Sequence, residues 1–315
     1  MFDLNRKAIK VLVLLVFGVI CFQGIQQEVE LFKWHRGLSD GKFGKPPLRT
    51  IGPHFGKVTP RPIIYTFFEA IDIKEDSALA AIDPPMLALW KDEWLNAGFQ
   101  PRVLTLADAQ RHPYFETMRT AVQAIFPDDV YNQFCFYRHL AMASVGGGWM
   151  SDIDTFPTNF PMKEGLVLPS NGKFTSYQAH VPALISASAK EWFRVSRLMT
   201  EEIPKSQQPL KSDMMILYDL RMQGTHNIDF RWIHSIGRPD AVWRKGHKID
   251  CSVMNSSRAI HMSHQSLAMV LEAENYPIPT KEKNRLTDLE RARGAREIMD
   301  QWRKQDKCGY VPAIE

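Results

Sequence analysis

Residues 138–157 read RHLAMASVGGGWMSDIDTFP, and this stretch decides the fold that we expect. Its first part continues a helical pattern that begins at Tyr131, and three glycines then lead into a short apolar run. Glycines let a backbone turn tightly and let a ligand approach it closely. Two carboxylates, Asp152 and Asp154, follow the apolar run. The pattern predicts a strand that leaves a core and ends in a charged tip, which is where open α/β sheets bind ligands.

The two carboxylates stand one residue apart. On an extended strand, residues i and i+2 share a face, so we expect Asp152 and Asp154 to lie side by side. Like charges this close raise each other's pKa, and a divalent cation relieves the repulsion. Oxygen ligands favour Mg²⁺ or Mn²⁺, and Mg²⁺ usually completes its shell with water and substrate phosphates. The pair predicts a metal site for a phosphate-bearing substrate, and the alternative is two solvated turn residues.

The stretch resembles the DXD sugar-binding region of a retaining family of GT-A glycosyltransferases. That family includes initiation-type mannosyltransferases, α-1,4-galactosyltransferases and sugar-transferring bacterial toxins. Its pattern is an arginine, a short helix, Gly-Gly, three residues and Asp-x-Asp, and this chain supplies Arg138, two of its glycines and the two acids. The chain departs at Met150, where the family usually has Tyr, and Arg138 lies slightly further from the acids. The strong match covers roughly twenty residues, with weaker echoes over 61–265.

The resemblance implies a fold and a chemistry. The fold is a single GT-A domain, with a Rossmann-like, mostly parallel sheet flanked by helices. The chemistry is transfer of a sugar from a UDP- or GDP-sugar, bound through Mn²⁺ or Mg²⁺, to a glycan, glycoprotein or glycolipid acceptor, with retained anomeric configuration. Asp152 is implied to orient the donor and Asp154 to bind the metal, while Arg138 assists on the donor side. Thr66, at the first strand, is implied as a donor contact.

An acidic residue facing the acceptor is also implied by the resemblance. Asp213, which stands just ahead of an apolar run after a polar linker, is the candidate catalytic residue that the resemblance implies in this part of the chain. The alternative for Asp213 is a helix N-cap, which is a common place for aspartate. No side-chain nucleophile stands out, which fits same-face attack by the acceptor hydroxyl.

Two histidines follow a short strand-like run near the C-terminal part of the chain. Many metal-dependent GT-A enzymes complete the metal shell with a C-terminal histidine, so the resemblance implies His261 as a ligand, with His264 close behind. A structural zinc site would need four ligands, and the sequence contains no Cys-x-x-Cys. The alternative is that both histidines are ordinary structural residues.

The start of the globular part has the pattern of a β-α-β unit. A continuous apolar run over 62–68 predicts a buried parallel strand. A helix then follows, with Asp83 as its N-cap, Trp90 and Trp94 on its core face, and Gly98 at its end. Residues 102–106 predict the next strand. Further helices are predicted over 115–125, 128–145 and 184–198.

The N-terminal residues predict a membrane segment. Basic residues precede an apolar run, which indicates a cytosolic tail (1–10), a signal anchor (11–25) and a stem (26–60), with the catalytic domain over 61–315. A cleaved signal peptide is the alternative. Either way, the catalytic domain is expected in the lumen of the endoplasmic reticulum or Golgi, as in a single-pass type II protein.

Composition limits the remaining possibilities. The formal net charge of +4 is small and evenly spread, so we expect no nucleic-acid partner. A lumenal setting permits one disulfide, and the sequence favours Cys251 with Cys308 because Cys135 lies on the helix before the acids. Asn255 begins a glycosylation sequon. Residues 281–307 predict a mixed-charge, solvated helix.

We therefore expect a membrane-anchored, metal-dependent glycosyltransferase. Two alternatives remain open. A metal-dependent phosphoester hydrolase would use the same acids and histidines, but it normally needs enough ligands for two metals. A membrane-tethered lumenal binding protein with an inactive GT-A fold is the other alternative.

Overall fold

The structure, a computed structural model, describes residues 60–69, 85–208, 211–231, 236–244, 248–273, 288–305 and 308. All of these belong to one compact unit, Pro60–Ile71 with Asp83–Glu315. The predicted tail, anchor and stem up to residue 59 lie outside the described residues, as does the predicted cap Asp83. Within the described ranges, no helix is both long and apolar enough to span a membrane.

Strands and helices alternate along most of the described chain. The strands are β1 (Ile63–Phe67), β2 (Gln100–Leu104), β3 (Gly147–Ser151), β4 (Thr155–Pro157), β5 (Thr175–Gln178), β6 (Val181–Ser188), β7 (Asp229–Phe230), β8 (Ile236–Gly237), β9 (Trp243–Arg244), β10 (Lys248–Ile249) and β11 (Ala259–His261). The α-helices are α1 (Pro85–Asn96), α2 (Leu106–Gln110), α3 (Phe115–Gln123), α4 (Val130–Ser144), α5 (Met162–Gly165), α6 (Ala189–Glu202), α7 (Asp213–Gln223), α8 (Pro239–Val242), α9 (Cys251–Ser256), α10 (His264–Ala273) and α11 (Asp288–Lys304).

A mixed sheet organises the described residues. Six of the described strands form this large sheet, in the order β2-β1-β3-β6-β5-β7. β1 pairs in parallel with β2 and β3, β6 pairs antiparallel with β3 and β5, and β7 is parallel to β5. Only β6 runs against the others in this sheet, so the expectation of a mostly parallel α/β sheet flanked by helices is confirmed. A smaller sheet has the strand order β4-β11-β8, and its strand β4 follows β3 directly in the sequence.

Helices cover both faces of the large sheet, and each face has its own core. Successive residues of a strand point to opposite faces, and β3 shows this directly. Trp149 packs in the core that contains Trp90 and Trp94 of α1, whereas Met150 packs in the core that contains Trp192 of α6. Trp90 and Trp94 are fully buried, as the sequence predicted. Strand β3 ends at Ser151, so the residues that follow it lie at the carboxyl edge of the sheet.

The glycines before β3 make room for the protein's own backbone. A Cβ on Gly147 would lie 2.4 Å from the backbone nitrogen of Ala189. The φ angle of Gly147 is +79°, which lies in the left-handed region that side chains disfavour. Gly147 is the first residue of β3, whereas the acids follow the last residue of β3. The close approach at Gly147 is therefore to the junction between β6 and α6 and not to a ligand at the acids.

Two predicted boundaries were wrong. The predicted helix over 184–198 is β6 up to Ser188 and α6 after it. Residues 181–187 form a nearly continuous apolar run that is buried between β3 and β5, and such a run has no periodicity that separates a strand from a helix. The predicted strand at 102–106 begins instead at Gln100, and Leu106 begins α2.

The C-terminal helix packs into the core. Residues 281–307 were predicted as a solvated helix, but the α11 residues Ala295, Met299 and Trp302 are buried. Their spacing of three to four residues forms one apolar face. The disulfide between Cys251 and Cys308 confirms the favoured pairing and joins the segment after α11 to the first residue of α9. This packing brings a charged residue of α11 to the two acids.

Candidate functional site

The two acids lie in a tight turn between β3 and β4. The backbone amide of Thr155 donates to the carbonyl of Asp152 at 3.0 Å, which closes a four-residue turn. The expectation of an extended strand at this point was wrong, because strand pairing stops at Ser151. Aspartate favours the first position of such turns, since its side chain accepts hydrogen bonds near its own backbone. The turn places both carboxylates at the carboxyl edge of the large sheet.

Backbone hydrogen bonds hold both ends of the turn. The amide of Asp152 donates to the carbonyl of Ala183 in β6 at 3.0 Å. The amide of Met262, just after β11, donates to the carbonyl of Asp154 at 2.8 Å. β11 also pairs antiparallel with β4, with His261 opposite Thr155. The small sheet therefore brings His261 beside the acids from a distant part of the sequence.

Three possible ligand atoms converge at this point. One oxygen from each of Asp152 and Asp154 and one ring nitrogen of His261 lie within 4.8 Å of one another. Asp154 Oδ1 is buried and accepts no hydrogen bond from the described residues, while His261 Nε2 lies 3.4 Å from it. Two carboxylates and an imidazole form a donor set that suits Mn²⁺. This buried oxygen accepts no close hydrogen bond from the described residues and faces the imidazole, so it fits a bound divalent cation once His261 gives up its proton. His264, the other predicted ligand, is exposed and lies outside this cluster.

Arg138 reaches Asp152 from the helix α4. Its Nη1 donates to Asp152 Oδ1 at 2.5 Å. The rest of the guanidinium faces Asp213, with Nε at 3.0 Å and Nη2 at 2.5 Å from Asp213 Oδ2. The Arg138 side chain is only 12% exposed, so these contacts are shielded from solvent. Arg138 lies where the sequence predicted, close to the acids, and it bridges two carboxylates.

Asp213 is the first residue of α7 and is buried. Ser212, not Asp213, is the N-cap of this helix. Asp213 Oδ2 also lies 3.2 Å from Nε2 of the fully buried His139. Burial raises the pKa of Asp213, but Arg138 and His139 outweigh it and hold that pKa below its ordinary value. A buried carboxylate committed to these partners fixes the position of Arg138, and its predicted catalytic role stays a prediction.

Arg291 is a site residue that the sequence analysis missed. Its Nη2 donates from α11 to Asp154 Oδ2 at 2.6 Å, and its side chain is 8% exposed. The mixed charge of residues 281–307 hid this role, because most arginines in such a pattern are solvated. The apolar spacing of Ala295, Met299 and Trp302 was the available signal, since it predicts a buried face. Arg291 therefore takes one oxygen of Asp154 and leaves the other beside His261.

The charges of the site affect its two acids differently. Burial raises the pKa of Asp152 above its ordinary value; Arg138 opposes this shift and Asp154 adds to it. Burial also disfavours the charge on Asp154, but His261 and Arg291 outweigh it and hold the pKa of Asp154 below its ordinary value. Burial disfavours the charged form of His261, yet Asp154 raises the pKa of His261 above its ordinary value. Asp154 therefore carries the more strongly held negative charge.

Thr66, the predicted donor contact, lies in β1 and is 1% exposed. Its residue partner in the parallel ladder is Val103 of β2. β1 is the neighbour of β3 in the large sheet, so Thr66 lies on the same sheet edge as the acids but offers a ligand almost no surface. Its predicted role stays a prediction.

Comparison with known proteins gives one family match and several distant structural likenesses, two of which follow. No curated protein matches the sequence. The structure titled "crystal structure of a glycosyltransferase involved in the glycosylation of the major capsid of PBCV-1" is 8% identical, with a TM-score of 0.38 over 68% of this chain and 100% of that one. The structure titled "PaToxG Glycosyltransferase" is 13% identical, with a TM-score of 0.31 over 76% of this chain and 87% of that one. Scores this low carry no argument about activity, which rests on the residues of this chain.

The family match covers about half of the sequence, residues 31–190. It includes Arg138 and both acids, and it ends before Asp213 and His261. The chain belongs to the family described as "Domain of unknown function (DUF8765)".

Proposed function

We propose that this protein is a metal-dependent glycosyltransferase that moves a sugar from a nucleoside-diphosphate sugar to a glycan, glycoprotein or glycolipid acceptor. The single observation that carries the proposal is the cluster of Asp152, Asp154 and His261, whose ligand atoms lie within 4.8 Å of one another. The cluster lies at the carboxyl edge of a mostly parallel sheet, where α/β proteins bind nucleotides. A lone Asp-x-Asp is weak evidence, but an imidazole and an unpartnered oxygen beside it strengthen the proposal.

The residues of the cluster have distinct roles in this proposal. Asp154 Oδ1 and His261 Nε2 would hold Mn²⁺ or Mg²⁺, and Asp152 would hold either the metal or the donor sugar. When bound there, the cation would neutralise the charge that builds on the leaving diphosphate. His261 and Arg291 together keep Asp154 ionised, and Arg291 binds one of its oxygens while the other faces His261. Arg138 binds one oxygen of Asp152, and Asp213 holds Arg138 in place.

The charge balance of the site supports a bound cation. When His261 is neutral, as a metal ligand must be, three carboxylates (Asp152, Asp154 and Asp213) face two arginines (Arg138 and Arg291). A diphosphate would meet net negative charge here and would be repelled unless a cation stood between them. Retention of configuration is part of the proposal. It is supported by the engagement of Asp213 with Arg138 and His139, which leaves it poorly placed to act as the general base that an inverting displacement needs.

A lumenal location is part of the same proposal. The disulfide Cys251–Cys308 supports it, because disulfides persist in oxidising compartments. We retain the proposal of a single-pass type II protein of the endoplasmic reticulum or Golgi, with an N-terminal anchor over 11–25.

Incubation of the full-length protein with UDP- and GDP-sugars tests the enzymatic claim. We expect one sugar nucleotide to release its nucleoside diphosphate only when Mn²⁺ or Mg²⁺ is present. The Asp154→Asn variant should release none, because it loses the charged ligand. Release of a nucleoside monophosphate and a sugar 1-phosphate in place of the nucleoside diphosphate would favour the hydrolase. Among the described residues, however, only one cluster of three ligands is found.

One observation favours a second candidate, an inactive GT-A binding protein. Each acid already has an arginine partner, Arg138 on Asp152 and Arg291 on Asp154. Two such ion pairs could stabilise the turn without any metal. Binding of a sugar nucleotide that is independent of metal and leads to no cleavage would support this alternative.

A further inference from the structure

His261 has a different partner at each of its ring nitrogens. Nε2 faces Asp154 Oδ1 at 3.4 Å. Nδ1 lies 2.8 Å from Oε1 of Gln178, which is the last residue of β5. A neutral imidazole carries its proton on one nitrogen and a lone pair on the other, and the partner of one nitrogen decides which is which. The contact with Gln178 therefore bears directly on the nitrogen that faces the acids.

We propose that Gln178 is a positioning residue that accepts the Nδ1 hydrogen of His261 and so leaves Nε2 as the metal-binding nitrogen. The inference rests on the proposed metal site and adds a residue to it. Metal-bound histidines usually donate their other ring N–H to an oxygen, which fixes both the ring orientation and the tautomer. The side-chain oxygen of Gln178 is in position for this hydrogen bond.

The backbone before Gln178 is shaped to aim this side chain. In a regular strand, Gln178 would share a face with Ser176. The ladder between β5 and β6 instead shifts register between Ser176 and Gln178. Such a bulge re-aims the side chains that follow it and is common next to active sites. Because of the bulge, the Gln178 side chain does not follow the alternation of β5. It contacts His261 of β11 instead.

The residue after Gln178 holds the bulge in place at a conformational cost. Ala179 has a φ of +54°, in the left-handed region that costs a non-glycine residue about 1–2 kcal/mol. Two backbone bonds with Arg231 bracket the bulge. The amide of Ala179 donates to Arg231 O at 2.8 Å, and the amide of Arg231 donates to Ser176 O at 2.8 Å. Strain of this kind persists when the surroundings require it, and here it lies in the turn that joins Gln178 to β6.

The other half of the contact is equally fixed. His261 is the last residue of β11, and the residue before it, Ile260, is fully buried in the core. Its register with Thr155 ties it to the turn that carries the acids. The His261 side chain is 12% exposed, so little solvent competes for its ring nitrogens. Gln178 is the residue that supplies the Nδ1 contact.

Mn²⁺ titration of the full-length protein by calorimetry tests the inference. Gln178→Met keeps the length of the side chain but removes the acceptor, and we expect Mn²⁺ affinity to fall about 10- to 100-fold. Gln178→Glu keeps an acceptor and should retain Mn²⁺ binding. Gln207→Met is the matched control, because Gln207 is exposed and its side chain, among the described residues, donates a hydrogen bond only to Lys205 O. Its affinity should equal that of the unmodified protein.

Two further readouts separate positioning from general loss of structure. Electron spin-echo spectra of bound Mn²⁺ should show a coordinated histidine nitrogen, and Gln178→Met should weaken that signal. In a His261→Gln background, Gln178→Met should change Mn²⁺ affinity no further, because its effect passes through the imidazole.

The outcomes distinguish this inference from the proposed function. Unchanged Mn²⁺ affinity in Gln178→Met, or an equal loss in the His261→Gln background, overturns the role of Gln178 and leaves the metal site standing. Loss of binding in Gln178→Glu also overturns it, because the amide would then act as a donor. If the unmodified protein binds no Mn²⁺, both the role of Gln178 and the metal-dependent function fail.

Discussion

Arg291 Nη2 donates a 2.6 Å hydrogen bond to Asp154 Oδ2, and this contact joins residues 137 positions apart in the sequence. Arg138 makes the corresponding contact with Asp152 from a different helix. Each acid of the turn therefore has one oxygen bound by an arginine. The arrangement keeps Asp154 charged while its other oxygen stays open beside His261.

Arg291→Met should destabilise the protein. The change leaves the carboxylate of Asp154, whose side chain is only 14% exposed, without its arginine partner. Breaking a buried ion pair on one side costs about 3 kcal/mol. Urea unfolding measures the loss, and Arg293→Met, an exposed arginine on the same helix, should change stability by less than about 0.5 kcal/mol. Equal stability of the two variants would contradict the buried pairing.

Asp213→Asn and Arg138→Met should affect stability through one shared interaction. Arg138 donates to Asp213 from two of its nitrogens, at 3.0 and 2.5 Å, and both side chains are nearly buried. A double-mutant cycle by urea unfolding should give a coupling energy of roughly 1–3 kcal/mol. Additive effects of the two changes would show that Asp213 does not hold Arg138.

Much of this fold could be predicted from local sequence. The apolar run that became β1 and the helix that carries Trp90 and Trp94 follow from residue type and spacing alone. The Asp-x-Asp was found from the spacing of its two carboxylates, and the resemblance to the glycosyltransferase family implied Arg138 and His261. β6 was mistaken for part of a helix, because a short buried apolar run fits either element.

The missed site residues depend on tertiary contacts. Arg291 lies in a stretch of mixed charge, and only the packing of α11 distinguishes it from its solvated neighbours. Gln178 reaches His261 because of a bulge and a strained Ala179, neither of which a single sequence reveals. The turn at the acids was also missed, because the end of the β3–β6 pairing decides where the strand stops.

Affinity for Mn²⁺ should rise with pH. The proton on His261 must leave before the imidazole can bind a cation. Burial lowers the pKa of His261, but Asp154 outweighs burial and raises it above its ordinary value, so the rise should be centred above about pH 6.5. Calorimetric titrations across pH measure the profile, and His261→Gln should flatten it. A rise centred below the ordinary histidine value would contradict the pairing with Asp154.

The raised pKa of His261 should also make the stability of the metal-free protein depend on pH. Because the folded pKa of His261 is raised, its pairing stabilises the fold fully below the unfolded pKa and is lost as pH rises through the folded pKa. The lowered pKa of Asp154 acts in the other direction. Its contribution is present above the unfolded pKa and is lost as pH falls through the folded value. Urea unfolding across pH should show both slopes.

Gly147→Ala should destabilise the protein far more than Gly146→Ala. Both residues have a positive φ, +79° and +96°, so both changes incur the left-handed cost of about 1–2 kcal/mol. A Cβ on Gly147 would also lie 2.4 Å from the nitrogen of Ala189, whereas nothing lies within 4 Å of one on Gly146. We expect an additional loss of about 2 kcal/mol or more at Gly147, measured by urea unfolding. Similar losses at both positions would contradict the close approach of the β6–α6 junction.

The central claim is that Asp152, Asp154 and His261 bind a divalent cation that in turn binds a nucleoside-diphosphate sugar. The most direct measurement is the thermal unfolding midpoint of the full-length protein with UDP- or GDP-sugars, with and without Mn²⁺. A ligand that binds only the folded state at about 100 times its Kd stabilises that state by about 2.7 kcal/mol. We predict that one sugar nucleotide raises the midpoint only when Mn²⁺ is present, and that Asp154→Asn abolishes the rise. An unchanged midpoint for every sugar nucleotide with Mn²⁺, in a folded sample, would contradict the claim.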